Sequence, residues 1–341
     1  MDLQVQSDLR SIVHMRDCTY DSITIYNVFD ADKNTFNCKK KVTLIINSLL
    51  DDNDVNIKIE FIKQNNIDSV KFSDNNLGLK SNDIINFINK LPICVKYFTF
   101  NLYNSIVGSD YTSCFANLPI DLQYLELGTD CNFYIDMLPI GLKYLYILYD
   151  FDKPLDNLPN GLELLYIEGI YNNTLDNLPD SITNLHLDLT NFTLPITKLP
   201  SSLVNLEIIL YFSNSNSGII EYIFQNAVYP ETLEEFAFSI HSIPYDYVYD
   251  ISKLNFPKKL KVFIIGEPIN TVLNKCTIPA NTEILYLNRC YNLDNLLEMP
   301  DSVKKCYLNT TQYDINKKNM VKLSNARARC PNCQFIPNTV E

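Results

Sequence analysis

Cys330 and Cys333 stand in the order Cys-Pro-Asn-Cys, the spacing with which two thiolates grip a zinc ion or exchange a disulfide. A tetrahedral zinc site needs a second such pair, or two histidines at suitable spacing, and neither stands nearby. Three readings are open for this pair: a capping segment with two free thiols, half of a zinc knuckle completed by distant cysteines or by a partner, and a redox pair. The three histidines, His14, His186 and His241, neighbour no Ser, Cys or Asp in a pattern that would relay a proton to a nucleophile. The eight glycines form neither GxGxxG nor GxxxxGK[ST], so neither route to a nucleotide phosphate is written in the chain. Carboxylates are plentiful, 40 in all, but only a fold that converges them could make an acid–base pair. The expectation is a protein without catalysis or cofactor, whose functional residues form a surface.

What positions that surface is a repeat. Leu-Pro recurs at Leu91-Pro92, Leu118-Pro119, Leu138-Pro139, Leu158-Pro159, Leu178-Pro179 and Leu199-Pro200. An apolar residue follows each proline at three, six and eight positions, as Leu122, Leu125 and Leu127 follow Pro119, and Leu142, Leu145 and Ile147 follow Pro139. The frame LPxxLxxLxL survives after Pro230 and Pro257, and in part after Pro279 and Pro300, where Cys306 fills an apolar position as a small hydrophobe. By subtraction the prolines stand 27, 20, 20, 20, 21, 30, 27, 22 and 21 residues apart. The last two apolar positions alternate with polar or aromatic ones, the period of a strand with one buried face. A period near 20 residues leaves room for a strand, a turn and an extended or 3₁₀ return segment, and little room for a long helix. Proline fixes φ and holds the preceding Leu extended, which suits the turn into each strand. The expected fold class is an α/β repeat solenoid: a leucine-rich-repeat curved rod with a parallel concave β-sheet, short or irregular convex segments, about ten coils and degenerate coils at its ends.

Between each strand and the next proline runs a second element: Phe151-Asp152-Lys153-Pro154-Leu155, Tyr171-Asn172-Asn173-Thr174-Leu175 and Phe192-Thr193-Leu194-Pro195-Ile196. Its aromatic and branched residues would fill the wide end of each coil, and its polar residue would bond its own loop's backbone. With this element joined to LPxxLxxLxL, the chain resembles the FNIP repeat, a leucine-rich-repeat variant of social amoebae and of giant viruses that infect amoebae. The resemblance covers about residues 91 to 310 and is tightest over 118 to 208. It implies a cytoplasmic protein, in the host cytoplasm if viral, and an N-terminal F-box that binds a ubiquitin-ligase adaptor. Residues 1 to 60 hold no Leu-Pro, and Ile23-Thr24-Ile25 and Val42-Thr43-Leu44-Ile45-Ile46 read as readily as strand. The frame is also similar to the short repeats of bacterial type III effectors, some of which carry ubiquitin-ligase domains.

The ends of a solenoid need caps. Residues 1–54 are expected to form an N-terminal cap or small module, and 55–90 degenerate coils with an inserted short helix. Ile57-Lys58-Ile59-Glu60-Phe61 alternates like a strand, and Ile67, Val70 and Phe72 repeat the frame without its proline. Ser81-Asn82-Asp83 offers a helix cap before Ile84, and Ile219 to Phe224 reads as a helical turn. Residues 91–310 form the array, and 311–341 a basic capping tail, helical over Lys317 to Arg329, that carries the cysteine pair.

In such a sheet the residues five, seven and nine positions after each proline point away from the core and stack in columns. Column five carries Tyr97, Tyr124 and Tyr144; column seven carries Glu126, Tyr146, Tyr166, His186 and Glu207; Glu168 and Asp188 follow in column nine. Tyrosine, with a large apolar body and one polar tip, suits a protein-binding face, and the carboxylates favour a basic or neutral partner segment. Stacked tyrosines also stabilise a sheet as cross-strand pairs, so both roles are open. Net charge is −12, from 28 basic and 40 acidic residues, which argues against nucleic acid or anionic lipid as a partner. No apolar run approaches 18 residues, and the start shows no signal peptide, so no membrane is expected and reduced thiols are the default. The expected role is a non-catalytic protein-binding scaffold; the alternatives are a ubiquitin-ligase substrate adaptor with a divergent F-box and a structural or virion component.

Overall fold

The computed structural model describes residues 2–6, 22–26, 41–46, 51–74, 81–102, 111–212, 218–241, 254–266, 277–288, 299–310, 324–325, 327–328 and 330–339. They fall into two compact units, Met1–Leu165 and Tyr166–Glu341.

In the first unit the strands pair parallel in chain order: β1 (Asp2–Gln6), β2 (Ser22–Tyr26), β3 (Lys41–Ile46), β4 (Ser69–Asp74), β5 (Tyr97–Leu102), β6 (Tyr124–Leu127) and β7 (Tyr144–Ile147). Helices α1 (Asp52–Gln64), α2 (Ser81–Asn89) and α3 (Thr112–Phe115) lie between strands. β8 (Leu164–Gly169) begins in this unit, where the Leu164 N–H donates to the Lys143 carbonyl at 3.0 Å. In the second unit β9 (Asn184–Thr190), β10 (Asn205–Tyr211), β11 (Glu235–His241), β12 (Val262–Gly266), β13 (Ile284–Asn288), β14 (Lys305–Thr310) and β15 (Gln334–Thr339) pair parallel, again in order, with α4 (Ile219–Phe224) between β10 and β11. This ladder of one strand per repeat is a leucine-rich-repeat solenoid.

The frame residues build the core as their spacing requires. Leu122, Leu125, Leu127, Leu142, Leu145 and Ile147 are all 0% exposed. The turn after most of the frame prolines closes by one recurring bond, the N–H of the third residue donating to the proline carbonyl, as Leu142 does to Pro139 at 3.1 Å and Leu162 to Pro159 at 3.1 Å; after Pro257 the Leu260 N–H donates instead to the Ala280 carbonyl at 3.3 Å. Phe151, Tyr171 and Phe192 are buried with Leu155, Leu175 and Ile196. Polar residues of that element bond both their own loop, as Thr174 Oγ1 does in accepting the Asp176 N–H at 3.2 Å, and the next coil. Asn132 Oδ1 accepts the Asp152 N–H at 3.1 Å, and Asn172 Oδ1 accepts the Thr193 N–H at 2.9 Å. A return segment without helix leaves its N–H groups unpaired, and a side chain one coil away supplies the acceptor. The turns stack so closely that a Cβ on Gly141 would lie 2.6 Å from the Ile120 carbonyl oxygen.

One expectation about the ends needs revision. Residues 52–64, read partly as alternating strand, are helix α1. Val55, Ile59 and Ile62 recur at helical spacing beside the alternating run, and the Asp51 side chain caps the helix by accepting the Asp54 N–H at 2.9 Å. Lys58 is wholly buried and is met by the Asp54 carboxylate one turn earlier, so a cation occupies a core position. The described parts of residues 1–54 include strands that continue the ladder into β4. Residues 330–339 form a further coil beyond the array's expected limit at 310, with β15 hydrogen-bonded to β14. The expected helices at 81 and 219 are α2 and α4. The expected tail helix over 317–329 lies largely outside the described residues.

Candidate functional site

The alternation of each strand sends leucine inward and the intervening residue onto the open face of the sheet. On the first unit this face gathers Tyr97, Tyr124, Glu126, Tyr144 and Tyr146. Tyr97 and Tyr124 are register partners with ring centroids 6.2 Å apart, Tyr124 and Tyr144 are register partners in turn, and the Tyr124 and Tyr146 rings lie 5.2 Å apart. The Tyr124 hydroxyl donates to Glu126 Oε2 at 2.6 Å. Burial, with that hydrogen bond and the glutamate charge, holds the Tyr124 phenol far above its ordinary range, so it stays a donor. Tyr144 is the most open of these rings at 37% exposed, whereas Leu145 beside it is 0% exposed.

The second unit's face is chemically different. Tyr166 and His186 lie 6.1 Å apart by ring centroid, and His186 Nδ1 is 2.9 Å from Glu207 Oε2. The Tyr166 hydroxyl donates to Glu168 Oε2 at 3.1 Å, so tyrosine and the glutamate two residues on repeat the Tyr124–Glu126 arrangement. Burial first, then the charges of Glu168 and Glu207, push the Asp188 carboxyl up to about 6. The carboxylates here are thus mutually repelling and half-buried, an arrangement that a cationic side chain would relieve. Among the described residues no group of three or more His, Cys, Asp or Glu is arranged to hold a metal ion.

The cysteine pair belongs to a turn. The Cys333 N–H donates to the Cys330 carbonyl at 3.2 Å, the same closure that Leu142 makes on Pro139, and β15 follows at once. Cys330 and Cys333 close this turn as the proline and the third-position leucine do elsewhere, but one residue nearer the strand, since Phe335, five after Cys330, pairs with Cys306, six after Pro300. Both are free thiols, Cys330 buried and Cys333 half-buried, and burial together with Cys330 pushes the Cys333 thiol up to about 11. In the metal-free chain such a thiol is almost wholly protonated at neutral pH, which slows disulfide exchange.

Other surface residues were not singled out in the sequence. Tyr211 and His241 are register partners, their rings stacked 4.6 Å apart, and Ser239 Oγ lies 3.0 Å from His241 Nε2. Strands β9 to β11 run past the frame, and the signal was a further buried apolar residue ten positions after the proline: Leu189, Leu210 and Ile240. On the first unit Ile93, Ile120 and Ile140 each directly follow a proline and are 62%, 56% and 77% exposed, an apolar column along the turns.

No protein-family model matches this chain, and no curated protein matches its sequence. In structure the chain is similar to the leucine-rich repeat-containing protein LegL7 from Legionella pneumophila, with 15% sequence identity, 93% of this chain and 90% of that chain covered, and a TM-score of 0.37. At that score the leucine-rich-repeat assignment rests on this chain's own frame and parallel ladder.

Proposed function

We propose that this chain is a non-catalytic protein-binding scaffold that engages its partners through the open face of its sheet. The observation that carries the reading is the tyrosine cluster on β5 to β7, half-exposed between leucines that are wholly buried. Rings of this kind present large apolar area at small cost in side-chain entropy, and their hydroxyls keep one polar contact each. On the second unit Glu168, Asp188 and Glu207 favour a basic or neutral segment. A net charge of −12 disfavours nucleic acid and anionic lipid, and among the described residues no helix is long and apolar enough to cross a membrane.

We read the repeat as being of the FNIP kind, on the LPxxLxxLxL frame and the Phe151 to Leu155 element, with cytoplasmic residence as part of that reading. The ligase-adaptor alternative requires a helical module in residues 1 to 60. The described segments there are the strands β1, β2 and β3, which pair in the ladder, and the first turns of α1. No observation favours a virion component.

The test uses two separate variants, Tyr124→Ala with Tyr146→Ala on the first unit and Tyr166→Ala with His186→Ala on the second, each shown to unfold cooperatively. Affinity capture from host cytosol, read by mass spectrometry, should show a partner that binds wild type and is lost from one variant. Identical capture by all three proteins would make the tyrosines cross-strand structure and remove the proposed site.

A further inference from the structure

Asn160 and Gly161 are the two central residues of the turn that leads into β8, and theirs is the only Asn-Gly step in the chain. The turn closes where the Leu162 N–H donates to the Pro159 carbonyl at 3.1 Å, with Leu162 0% exposed and both central residues open to solvent. Neither the Asn160 side chain nor the Gly161 N–H has a hydrogen-bond partner among the described residues. The space around them is open as well: a Cβ on Gly161 would have one neighbour within van der Waals contact, the Ile140 carbonyl oxygen at 3.4 Å. Other asparagines of the frame are guarded. Asn117 and Asn157 each precede a buried leucine, and their side chains are tied, Asn117 to Asn89 Oδ1 at 3.0 Å and Asn157 to Asp136 Oδ1 at 3.3 Å.

We propose that this step modifies itself, the Asn160 side chain cyclising onto the Gly161 nitrogen to leave aspartate or isoaspartate, and that the isoaspartate product opens the turn. The Gly161 amide gives up its proton to solvent base, and its nitrogen forms a bond to Asn160 Cγ. The Cγ–Nδ2 bond then breaks, ammonia leaves with the proton, and a five-membered imide closes. Water opens the ring in one of two ways. Attack at Cγ restores the main chain and leaves aspartate; attack at the Asn160 main-chain carbonyl carbon leaves Gly161 joined through the side chain, as isoaspartate. Water enters, ammonia leaves, and either product brings a negative charge to the turn. Glycine suits the step because it has no Cβ to block the approach. The backbone bond across the turn opposes the rotation that brings Cγ to the nitrogen, so the folded chain reacts more slowly than the unfolded one, with Asn160 still first among the described asparagines.

The fold tolerates the two products differently. Asp180 holds the same frame position after Pro179, and its Oδ1 accepts the Ser201 N–H at 2.9 Å, so an aspartate fits a turn of this kind. Isoaspartate puts an extra carbon into the main chain between Pro159 and Leu162 and spoils the closure that holds Leu162 in the core.

The test ages the full folded chain at mildly alkaline pH in water labelled with heavy oxygen, and maps its peptides by mass spectrometry. Asn160 should convert before any other described asparagine and take up a labelled oxygen, and an isoaspartate-specific carboxyl methyltransferase should label the product. Gly161→Ala should slow the conversion about tenfold or more and leave the melting temperature near that of wild type. Asn160→Asp, which carries the charge on an ordinary main chain, should also melt with wild type, whereas the isoaspartate fraction should melt lower. Asn160 intact after Asn117 or Asn157 has converted, an unchanged rate in Gly161→Ala, or conversion only in urea would each overturn the proposal. An isoaspartate fraction that melts with wild type would overturn the opening of the turn.

Discussion

His186 on β9 and Glu207 on β10 are register partners whose side chains meet at 2.9 Å, a cross-strand contact on the open face. Both side chains are about a third or more exposed, at 32% and 41%, so solvent screens the attraction. A double-mutant cycle with His186→Gln and Glu207→Gln, read by chemical denaturation at pH 7, should give a coupling of about 0.5 kcal/mol. A coupling of several kcal/mol would show that the pair is far drier than its exposure implies.

Asp188 makes the second unit's stability depend on pH in the sense opposite to most carboxylates. Its ordinary value of 3.8 is raised to about 6 by burial and by Glu168 and Glu207, so the folded chain holds the proton more tightly than the unfolded chain. Stability therefore falls as pH rises between about 4 and 6, and the penalty is complete above 6. Asp188 is half-exposed, and screening limits the penalty to about 1 kcal/mol. Asp188→Asn should raise the melting temperature by about 2 °C at pH 7.5 and by almost nothing at pH 4. An equal gain at both would contradict the assignment.

Two glycines at equivalent turn positions should respond differently to alanine. At Gly141 the new Cβ meets the Ile120 carbonyl oxygen at 2.6 Å, a backbone atom that cannot step aside, whereas at Gly161 its nearest neighbour is 3.4 Å away. Gly141→Ala should cost about 2 kcal/mol. Gly161→Ala should lie within about 0.5 kcal/mol of wild type, since ordinary contact is offset by lost freedom in the unfolded chain. Urea titrations of the two variants compare them directly.

The Cys330–Cys333 turn yields a prediction about reactivity. With its thiol pushed up to about 11, Cys333 should react with iodoacetamide at pH 8 roughly a hundredfold more slowly than a free cysteine, despite partial exposure. Cys333→Ser, which keeps the turn and removes the thiol, should fold as well as wild type. Rapid alkylation, or loss of folding on chelation, would return the pair to redox or zinc chemistry.

Much of the architecture was legible because the core positions repeat: Leu125, Leu145, Leu165, Leu185 and Leu206 recur at one frame position, and periodicity in sequence becomes stacking in space. The candidate face was legible for the same reason, as the complement of the frame. What could not be read was set by contacts outside the frame. Ile57 to Phe61 alternates as a strand would, and the cap at Asp51 with the apolar spacing of Val55, Ile59 and Ile62 decides for a helix. Cys330 and Cys333 have metal-ligand spacing, and only the backbone hydrogen bond between them shows that the same spacing closes the turn into β15. Asn132 and Asn172 look like local turn formers, and the acceptors they supply belong to the neighbouring coil.

The strict alternation along β6, buried at Leu125 and Leu127 and half-open at Tyr124 and Glu126, separates two kinds of information in one strand. The inward letters are held to leucine and its neighbours by packing, while the outward letters pair along their own strand, as Tyr124 does with Glu126, and across to the adjacent ones, as Tyr124 does with Tyr97 and Tyr146. The outer face of such a chain can be rewritten one coil at a time, by exchanging tyrosine for asparagine or glutamate, while the frame beneath it keeps its spelling.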